Sequence, residues 1–243
     1  MKRAMAFSTR NMKELLRDPI SIVFCLVFPL FLLVLVVVLN NKLPSLEIFE
    51  LKNFAPGLTV FGFSFLSLFS GMLISKDRTT SFLTRLFASP MTSTDYIVGY
   101  SVPLLPIALT QSVIFFLVSF IFGLEITANV LLMILVLIPI SLLFIGFGLL
   151  FGSVFTDKQV GGIFSIFAWV VALFSGMWLD MNAVGGALKV IADVLPFAHA
   201  VDAAKAALMG DYASILPNLL WVILYTLVIL VLAILIFKRK MKE

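Results

Sequence analysis

The stretch Ile126–Thr156, ITANVLLMILVLIPISLLFIGFGLLFGSVFT, contains no Asp, Glu, Lys, Arg or His. An α-helix needs about 20 apolar residues to cross the ~30 Å of hydrocarbon in a bilayer, so this stretch is long enough to span it. Five other stretches share the property: Ile20–Leu39, Phe54–Ser75, Ile97–Leu124, Gln159–Leu179 and Tyr212–Phe237. The sequence therefore predicts six transmembrane helices.

The composition leaves little sequence for a soluble domain. Of the 243 residues, 62% are hydrophobic and 12% are charged, whereas soluble domains carry about 25% charged residues. We expect an all-α polytopic membrane protein with a single transmembrane domain over residues 1–243. The predicted spans lie near residues 20–39, 54–75, 97–122, 129–154, 160–179 and 218–237.

The distribution of cations predicts the orientation. Six spans place both termini on one side of the membrane, and that side holds 13 of the 17 Lys and Arg residues. Because Lys and Arg are enriched in cytoplasmic loops, we expect both termini and the loop 76–96 in the cytoplasm. The net charge of +4 follows from this topology, so we expect no nucleic-acid partner.

The loop 76–96 predicts a short amphipathic helix between spans 2 and 3. Its apolar residues at helical spacing are Phe82, Leu83, Leu86 and Phe87. Arg78 and Arg85 stand on the other side, and Pro90 ends the pattern because proline lacks an amide hydrogen. Such a helix either fits a groove of a partner with an acidic rim or lies on the bilayer surface.

Two more amphipathic regions flank the spans. Residues 6–18 predict an N-terminal interfacial helix, with Met12, Leu15 and Leu16 on its apolar face and Arg17 opposite. On the external side, residues 187–208 predict two short helices that are separated at Pro196 and dip partly into the outer leaflet before span 6.

Polar and small residues inside the spans indicate helix contacts and a weakly polar path. Gly148 and Gly152 form a GxxxG pair in span 4, which favours a close contact inside the bundle over a dimer seam. Gln111 is the only amide deep in a span, and Ser64 and Ser67 recur along span 2. We expect these three to be candidates for a translocation path, although serine hydroxyls at helix contacts more often bond to backbone carbonyls.

Several chemistries are missing from the sequence. It has no G-x-x-x-x-G-K-[ST] motif for ATP phosphates and no G-x-S-x-G, and one His and one Cys are too few for the usual metal sites. We therefore expect no catalytic, cofactor-binding or metal-binding residue in this chain, and no enzyme activity of its own. No charge lies in a span core, whereas ion-driven carriers usually place ionisable groups there. The energy for transport is therefore expected from another polypeptide.

Three motifs occur in a fixed order. The first is Leu16-Arg17-Asp18-Pro19 followed by Pro29. The second is Asp77-Arg78, Leu83-Thr84-Arg85-Leu86 and Ser89-Pro90-Met91-Thr92. The third is Leu173-Phe174-Ser175-Gly176-Met177-Trp178, Val194-Leu195-Pro196 and Ala200-Val201-Asp202-Ala203-Ala204-Lys205. With this hydropathy, essentially the whole chain resembles the ABC-2 type transporter permeases, the membrane subunits of bacterial ABC exporters of the multidrug- and antibiotic-resistance type.

The resemblance implies half of an exporter in the bacterial plasma membrane. Two permease copies, or one copy with a related permease, would pair with two cytoplasmic ABC ATPase subunits that carry ATP-Mg. The residues implied to couple the permease to the ATPase are Asp77, Arg78, Leu83, Arg85, Leu86 and Pro90. Thr79 and Thr84 stand where the family commonly has Glu, so Arg78 and Arg85 are the stronger candidates. A hydrophobic or amphiphilic substrate, namely a drug, an antibiotic or a peptide, is expected.

Two other functions stay open from the sequence. A secondary carrier or channel outside the ABC class would transport without an ATPase partner. A non-transporting immunity or sensor subunit would bind a peptide or lipid at residues 180–218 and tolerate changes in the loop 76–96.

Overall fold

Six helical segments of the described chain are long and apolar enough to cross a membrane. The computed structural model describes residues 2–40, 42, 47–80, 82 and 92–240, which are 87% helical and contain no strand. The spans are span 1 (Val23–Asn40), span 2 (Leu51–Thr79), span 3 (Thr94–Ile121), span 4 (Asn129–Val154), span 5 (Asp157–Phe174) and span 6 (Tyr212–Phe237). The prediction of an all-α polytopic protein with six spans is confirmed.

Spans 1 to 3 are each divided into shorter helical pieces, whereas spans 4, 5 and 6 each lie within one continuous helix. Span 1 follows Pro19–Ile22 and consists of a π-helical turn, Val23–Val27, and the helix Phe28–Asn40. Span 2 divides into Leu51–Gly62 and Ser64–Thr79, and span 3 into Ser93–Ser101 and Leu104–Ile121. The remaining helices are Lys2–Leu16 at the N-terminus, Met181–Val184, Gly186–Val194, Pro196–Met209 and the last helix, Tyr212–Lys240.

A π-helical turn in span 1 lies directly before Pro29. The N–H of Phe28 bonds to the carbonyl of Val23, one residue further back than in an α-helix. Pro29 has no amide hydrogen, so it makes no bond to the carbonyl four residues earlier. π-turns of this kind are rare and are often found at functional sites.

Span 2 lies at the centre of the bundle and crosses span 4 closely. In its most apolar part 89% of the residues are buried, against 22% in spans 5 and 6. The Ser67 hydroxyl donates to the carbonyl of Phe144 at 2.6 Å. A Cβ at Gly148 would collide with Ser70 Oγ, and one at Gly152 would lie 2.6 Å from the carbonyl oxygen of Gly71. The GxxxG pair therefore lies at a contact within this chain.

The N-terminal helix and the carboxyl end of span 6 lie at one end of the bundle, which we call the terminal end. The ring of Phe7 in the N-terminal helix meets the ring of Tyr96 in span 3 at 5.9 Å between centroids. Tyr96 in turn meets Phe237 near the end of span 6 at 5.5 Å. The opposite end of the bundle, which carries residues 175–211, is called the far end.

The N-terminal helix packs on the bundle through one of its faces. Its buried residues are Ala4, Phe7, Ser8, Asn11 and Leu15, which recur every three to four positions. Leu16 is 59% exposed because neighbouring helical residues point about 100° apart. Arg17 lies beyond the end of the helix. The interfacial role predicted for Leu15, Leu16 and Arg17 concerns contact with the membrane surface, and it stays a prediction.

The far end contains the two predicted helices, but one of them enters the protein more deeply than expected. Pro196 is the first residue of Pro196–Met209, a position where its missing N–H is not needed. This helix packs against spans 2, 4 and 6. Its small residues, such as Ala200 and Ala204, are fully buried and allow the close approach.

Candidate functional site

An apolar groove runs between spans 1, 2 and 5 and has a volume of about 920 Å³. Seven aromatic side chains line it: Phe28, Phe61, Phe65, Phe164, Trp169, Phe174 and Trp178. The other lining residues are aliphatic apart from Ser165, and none of them is charged. The groove is therefore suited to a ligand that is apolar over most of its surface.

The wall of the groove is held by ring contacts. Phe65 of span 2 lies at 5.7 Å from Phe28 of span 1 and at 5.2 Å from Phe164 of span 5, measured between ring centroids. Such aromatic pairs add about 0.5–1.5 kcal/mol beyond the area that they bury. Trp169 is 77% exposed on the outer side of span 5, so one side of the groove opens toward the surroundings of the bundle.

The three polar residues predicted for a path lie elsewhere, inside the packed bundle. Gln111, Ser64 and Ser67 each have 0% exposed surface. Gln111 Oε1 accepts a bond from the Cys25 thiol at 3.4 Å, while its Nε2 has no partner. The amide occupies the space over Gly62, where a Cβ would collide with it. Ser67 bonds to the carbonyl of Phe144 in span 4, whereas Gln111 lies between spans 1, 2 and 3. A substrate could reach these groups only if the packed spans separated.

Gln111→Leu is expected to leave the thermal unfolding temperature unchanged or to raise it. A buried donor without a partner costs about 1–3 kcal/mol, and leucine of similar volume removes that donor. Thermal unfolding of the purified protein in detergent measures the effect. The matched control is Ser67→Ala, which removes a made hydrogen bond and is expected to lower stability by about 1 kcal/mol. A clear loss of stability in Gln111→Leu would mean that the amide has a partner or fills its site better than leucine.

At the terminal end, two of the predicted coupling residues, Asp77 and Arg78, form hydrogen bonds with other residues of the same chain. Asp77 is 2% exposed and accepts hydrogen bonds from Arg10 and Tyr100. Arg78 Nη1 donates to the carbonyl of Gly152 at 2.7 Å and of Phe155 at 3.4 Å, at the carboxyl end of span 4. A cation is favourable there because helix carbonyls are left unpaired. Of the other predicted coupling residues, Leu83, Arg85, Leu86 and Pro90 lie outside the described residues.

The partners of Asp77 were not predicted from the sequence. Arg10 lies 67 positions earlier and Tyr100 lies 23 positions later, so no local spacing links them. The resemblance implied that Asp77 contacts an ATPase, and its neighbours Lys76 and Arg78 gave no sign of a partner within the chain. The one available signal was Arg10 itself, a cation on a helix predicted to lie at the same membrane surface.

A charged cleft of about 430 Å³ separates the N-terminal helix from spans 2 and 5. Its charged lining includes Glu14, Arg17, Lys76 and Asp157. Lys76 Nζ bonds to Glu14 Oε1 at 2.9 Å, and this hydrogen bond lowers the pKa of Glu14. Leu15 and Arg17, two of the predicted N-terminal residues, both line this cleft.

A polar cavity of about 290 Å³ lies at the far end. It is lined by Asp180, Lys189, Asp202 and Lys205 among others. Enclosure by the surrounding protein raises the pKa of Asp202 and lowers the pKa of Lys205. No group of three or more His, Cys, Asp or Glu side chains in the described residues is arranged to hold a metal ion.

Comparison with known proteins assigns the family. The family described as ABC-2 type transporter matches residues 3–209 of the 243, which include spans 1 to 5 and the helix Pro196–Met209. No curated protein matches the chain. The match covers both the terminal end and the apolar groove, and it is a match to the membrane component of a transporter and not to an ATPase. The chain belongs to the ABC-2 type transporter family and is a multi-pass membrane permease.

Proposed function

We propose that this permease forms the translocation path of an ATP-driven exporter for a hydrophobic or amphiphilic compound, such as a drug, an antibiotic or a peptide. The observation that carries the proposal is the apolar groove between spans 1, 2 and 5. Family membership supports a transporter subunit, and the groove supports the substrate class and the direction from which the substrate enters.

The size and chemistry of the groove fit a drug-sized molecule. Its volume is about 920 Å³. Ligand pockets in proteins usually have volumes of roughly 300–1,000 Å³, so the groove is among the larger ones. The lining offers one hydroxyl, Ser165, and no charge. An ionised group would lose its hydration there without a partner, which is costly, so an apolar body is favoured. Because the groove opens beside the exposed Trp169, the substrate can enter from the bilayer.

A second permease copy would complete the groove. Gly161, Gly162 and Ser165 leave one side of span 5 without bulk, and a Cβ at either glycine meets no atom within 4 Å. Small residues of this kind allow the backbone of another helix to approach. We infer that span 5 faces a second copy or a related permease across the translocation path.

Two ABC ATPase subunits carrying ATP-Mg would dock at the terminal end. The described residues at both ends of the loop 76–96 contact the N-terminal helix there, and the sequence predicts that the cations are concentrated on this side. The positive-inside bias supports a cytoplasmic location for this end and both termini, and the family resemblance supports a bacterial plasma membrane. ATP-driven closure of the two ATPase subunits would then press on the loop and alternate access to the groove.

One observation favours a second candidate function. The polar far-end cavity, with Asp202 and Lys205 in its wall, could hold a peptide or lipid headgroup in a sensor or immunity subunit. Such a subunit would lose function on substitution in the cavity and keep it on substitution in the loop 76–96. A secondary carrier has no comparable support, because the groove lacks an ionisable group that could bind a coupling ion.

Affinity purification from the native host in mild detergent tests the proposal. Two copies of the chain with different tags are expressed together, and one tag is used for purification. We expect the other tag to co-purify, together with an ATPase that has a Walker motif and is present in an amount equal to the total permease. A related permease in place of the second tag would indicate a heterodimer. Recovery of the chain without an ATPase, under conditions that preserve other ABC complexes, would contradict the proposal.

A further inference from the structure

The carboxylate of Asp77 is the most tightly held charge in the described part of the chain. Its side chain is 3% exposed, and it receives two hydrogen bonds from the Arg10 guanidinium, at 2.6 Å to Oδ2 and 2.9 Å to Oδ1. The Tyr100 hydroxyl donates to Oδ2 at 3.0 Å. A buried carboxylate is stable only when it is paired and hydrogen-bonded, and the two-pronged contact fixes the guanidinium in one orientation.

Arg10 extends this contact to the beginning of the loop. Its guanidinium carbon lies 4.3 Å above the ring of Phe82, the single described residue between positions 81 and 91. Its Nη1 also donates to Asn11 Oδ1, and Asn11 Nδ2 donates to the carbonyl of Gly99 in span 3. The N-terminal helix is thus bonded to the end of span 2, to span 3 and to the loop through neighbouring side chains.

Arg78, the residue after Asp77, connects the end of span 2 with the end of span 4. While Asp77 reaches toward Arg10 and span 3, the next residue bonds to the last carbonyls of span 4. Two successive residues at the base of the loop therefore connect it with four elements. A displacement of the loop cannot leave the ends of spans 2, 3 and 4 in place unless these bonds break.

We propose that Arg10, Asp77 and Tyr100 are positioning residues that transmit movement of the loop 76–96 to spans 2 and 3. This inference rests on the proposed function, because it takes the loop as the place where the ATPase acts. The Asp77 carboxylate is buried, while the Arg10 side chain that binds it is 35% exposed. The two-pronged, charge-assisted contact between them has two discrete states, formed or broken, and while it is formed it moves the neighbouring elements as one body. An exposed ion pair exchanges with water and transmits little. Asp77 thus acts through Arg10 and Tyr100 and not through direct contact with the ATPase.

The chain contains a matched control for this proposal. Lys76 and Glu14 join the same two elements at 2.9 Å, one residue away from Asp77, but their side chains are 62% and 36% exposed. The variant with Glu14→Lys and Lys76→Glu keeps the attraction with reversed signs. It is expected to behave like the unmodified protein, because the pair is solvated and its geometry is not fixed.

The test follows movement at the far end of the permease within the purified complex with its ATPase. Spin labels are placed at Ile121→Cys in both permease copies, in a Cys25→Ser background. Ile121 is 80% exposed at the far end of span 3. The distance between the two labels is measured with ADP and with ATP and vanadate, together with the rate of ATP hydrolysis and the thermal unfolding temperature.

Asp77→Asn is expected to retain the ATPase and its hydrolysis, and to reduce the ATP-dependent population with the changed distance about tenfold. Arg10→Lys keeps the positive charge but loses the two-pronged hydrogen bond. If the Asp77→Asn protein does not fold in the membrane, the same measurements are made on Arg10→Lys. A merely structural contact would lower the unfolding temperature and leave the distance change intact, and this result would overturn the inference. So would the absence of a nucleotide-driven change in the unmodified complex. A chain that recruits no ATPase would instead overturn the proposed function, and the inference with it.

Discussion

Gly148→Ala is expected to lower the stability of the bundle by about 3 kcal/mol or more, at the upper end of what overpacking usually costs. The added Cβ would collide with Ser70 Oγ and lie 2.5 Å from the carbonyl oxygen and 2.8 Å from the Cα of Ser67. Ser70 could rotate away, but the backbone of Ser67 can move only if spans 2 and 4 separate. That separation would break the hydrogen bond between Ser67 and Phe144 and open the most buried contact of the chain.

Gly152→Ala should behave in the same way, because its Cβ would lie 2.6 Å from the carbonyl oxygen of Gly71. The control is Gly161→Ala on span 5, where a Cβ meets no atom within 4 Å. Alanine is the better helix former by about 1 kcal/mol, so a single protomer with this change, separated from a second copy, should be as stable as the unmodified protomer or slightly more so. Thermal unfolding in detergent, with the amount of folded protein in the membrane, measures all three. A Gly148→Ala variant with an unchanged unfolding temperature would show that spans 2 and 4 do not cross as described.

The six spans could be predicted because hydrocarbon imposes one local requirement, a long run without charges. The contact at Gly148 could be predicted as a close approach for the same kind of reason, since small residues four apart form a flat face wherever they occur. Which helix fills that face cannot be read from the pair itself. The choice of span 2 depends on Ser67, Ser70 and Gly71, whose small side chains are matched to it only after folding.

The candidate groove was not predicted from the sequence, because polar residues within the spans were taken as the sign of a translocation path and the groove is apolar. Gln111 and Ser64 drew attention as polar groups in a membrane, yet the bilayer penalises an exposed polar group and the fold buries it between helices. The groove is lined mainly by aromatic and aliphatic side chains such as Phe28 and Trp169. A helix surface that faces lipid contains the same types of residue. The groove differs from a lipid-facing surface in being concave, and the spacing of apolar residues along a helix does not show whether a surface is concave.

Arg85→Glu and Leu86→Asp are expected to release the ATPase from the permease. The amphipathic pattern of the loop places Leu86 on an apolar face suited to a groove of the partner and Arg85 toward its acidic rim. The structure adds that this segment starts against the N-terminal helix, because Phe82 stacks on Phe7 at 6.3 Å between ring centroids. Central interface residues of this kind contribute about 2 kcal/mol or more, which is about a 30-fold change in affinity.

Quantitative co-purification of the ATPase with each variant measures this loss, and transport of a hydrophobic fluorescent dye into inverted vesicles should fall in parallel. Lys158→Glu is the control, since it reverses a charge at the exposed start of span 5 on the same end of the bundle.

The result also separates two roles along one loop. Arg85→Glu should lose the ATPase, whereas Asp77→Asn should keep it and lose the movement that follows ATP binding, because Asp77 is buried and bonded within the chain. If Arg85→Glu retained the ATPase and exported the dye normally, the contact with the motor would have to lie outside the loop 76–96. The charged cleft around Glu14 and Asp157 would then be the first place to test.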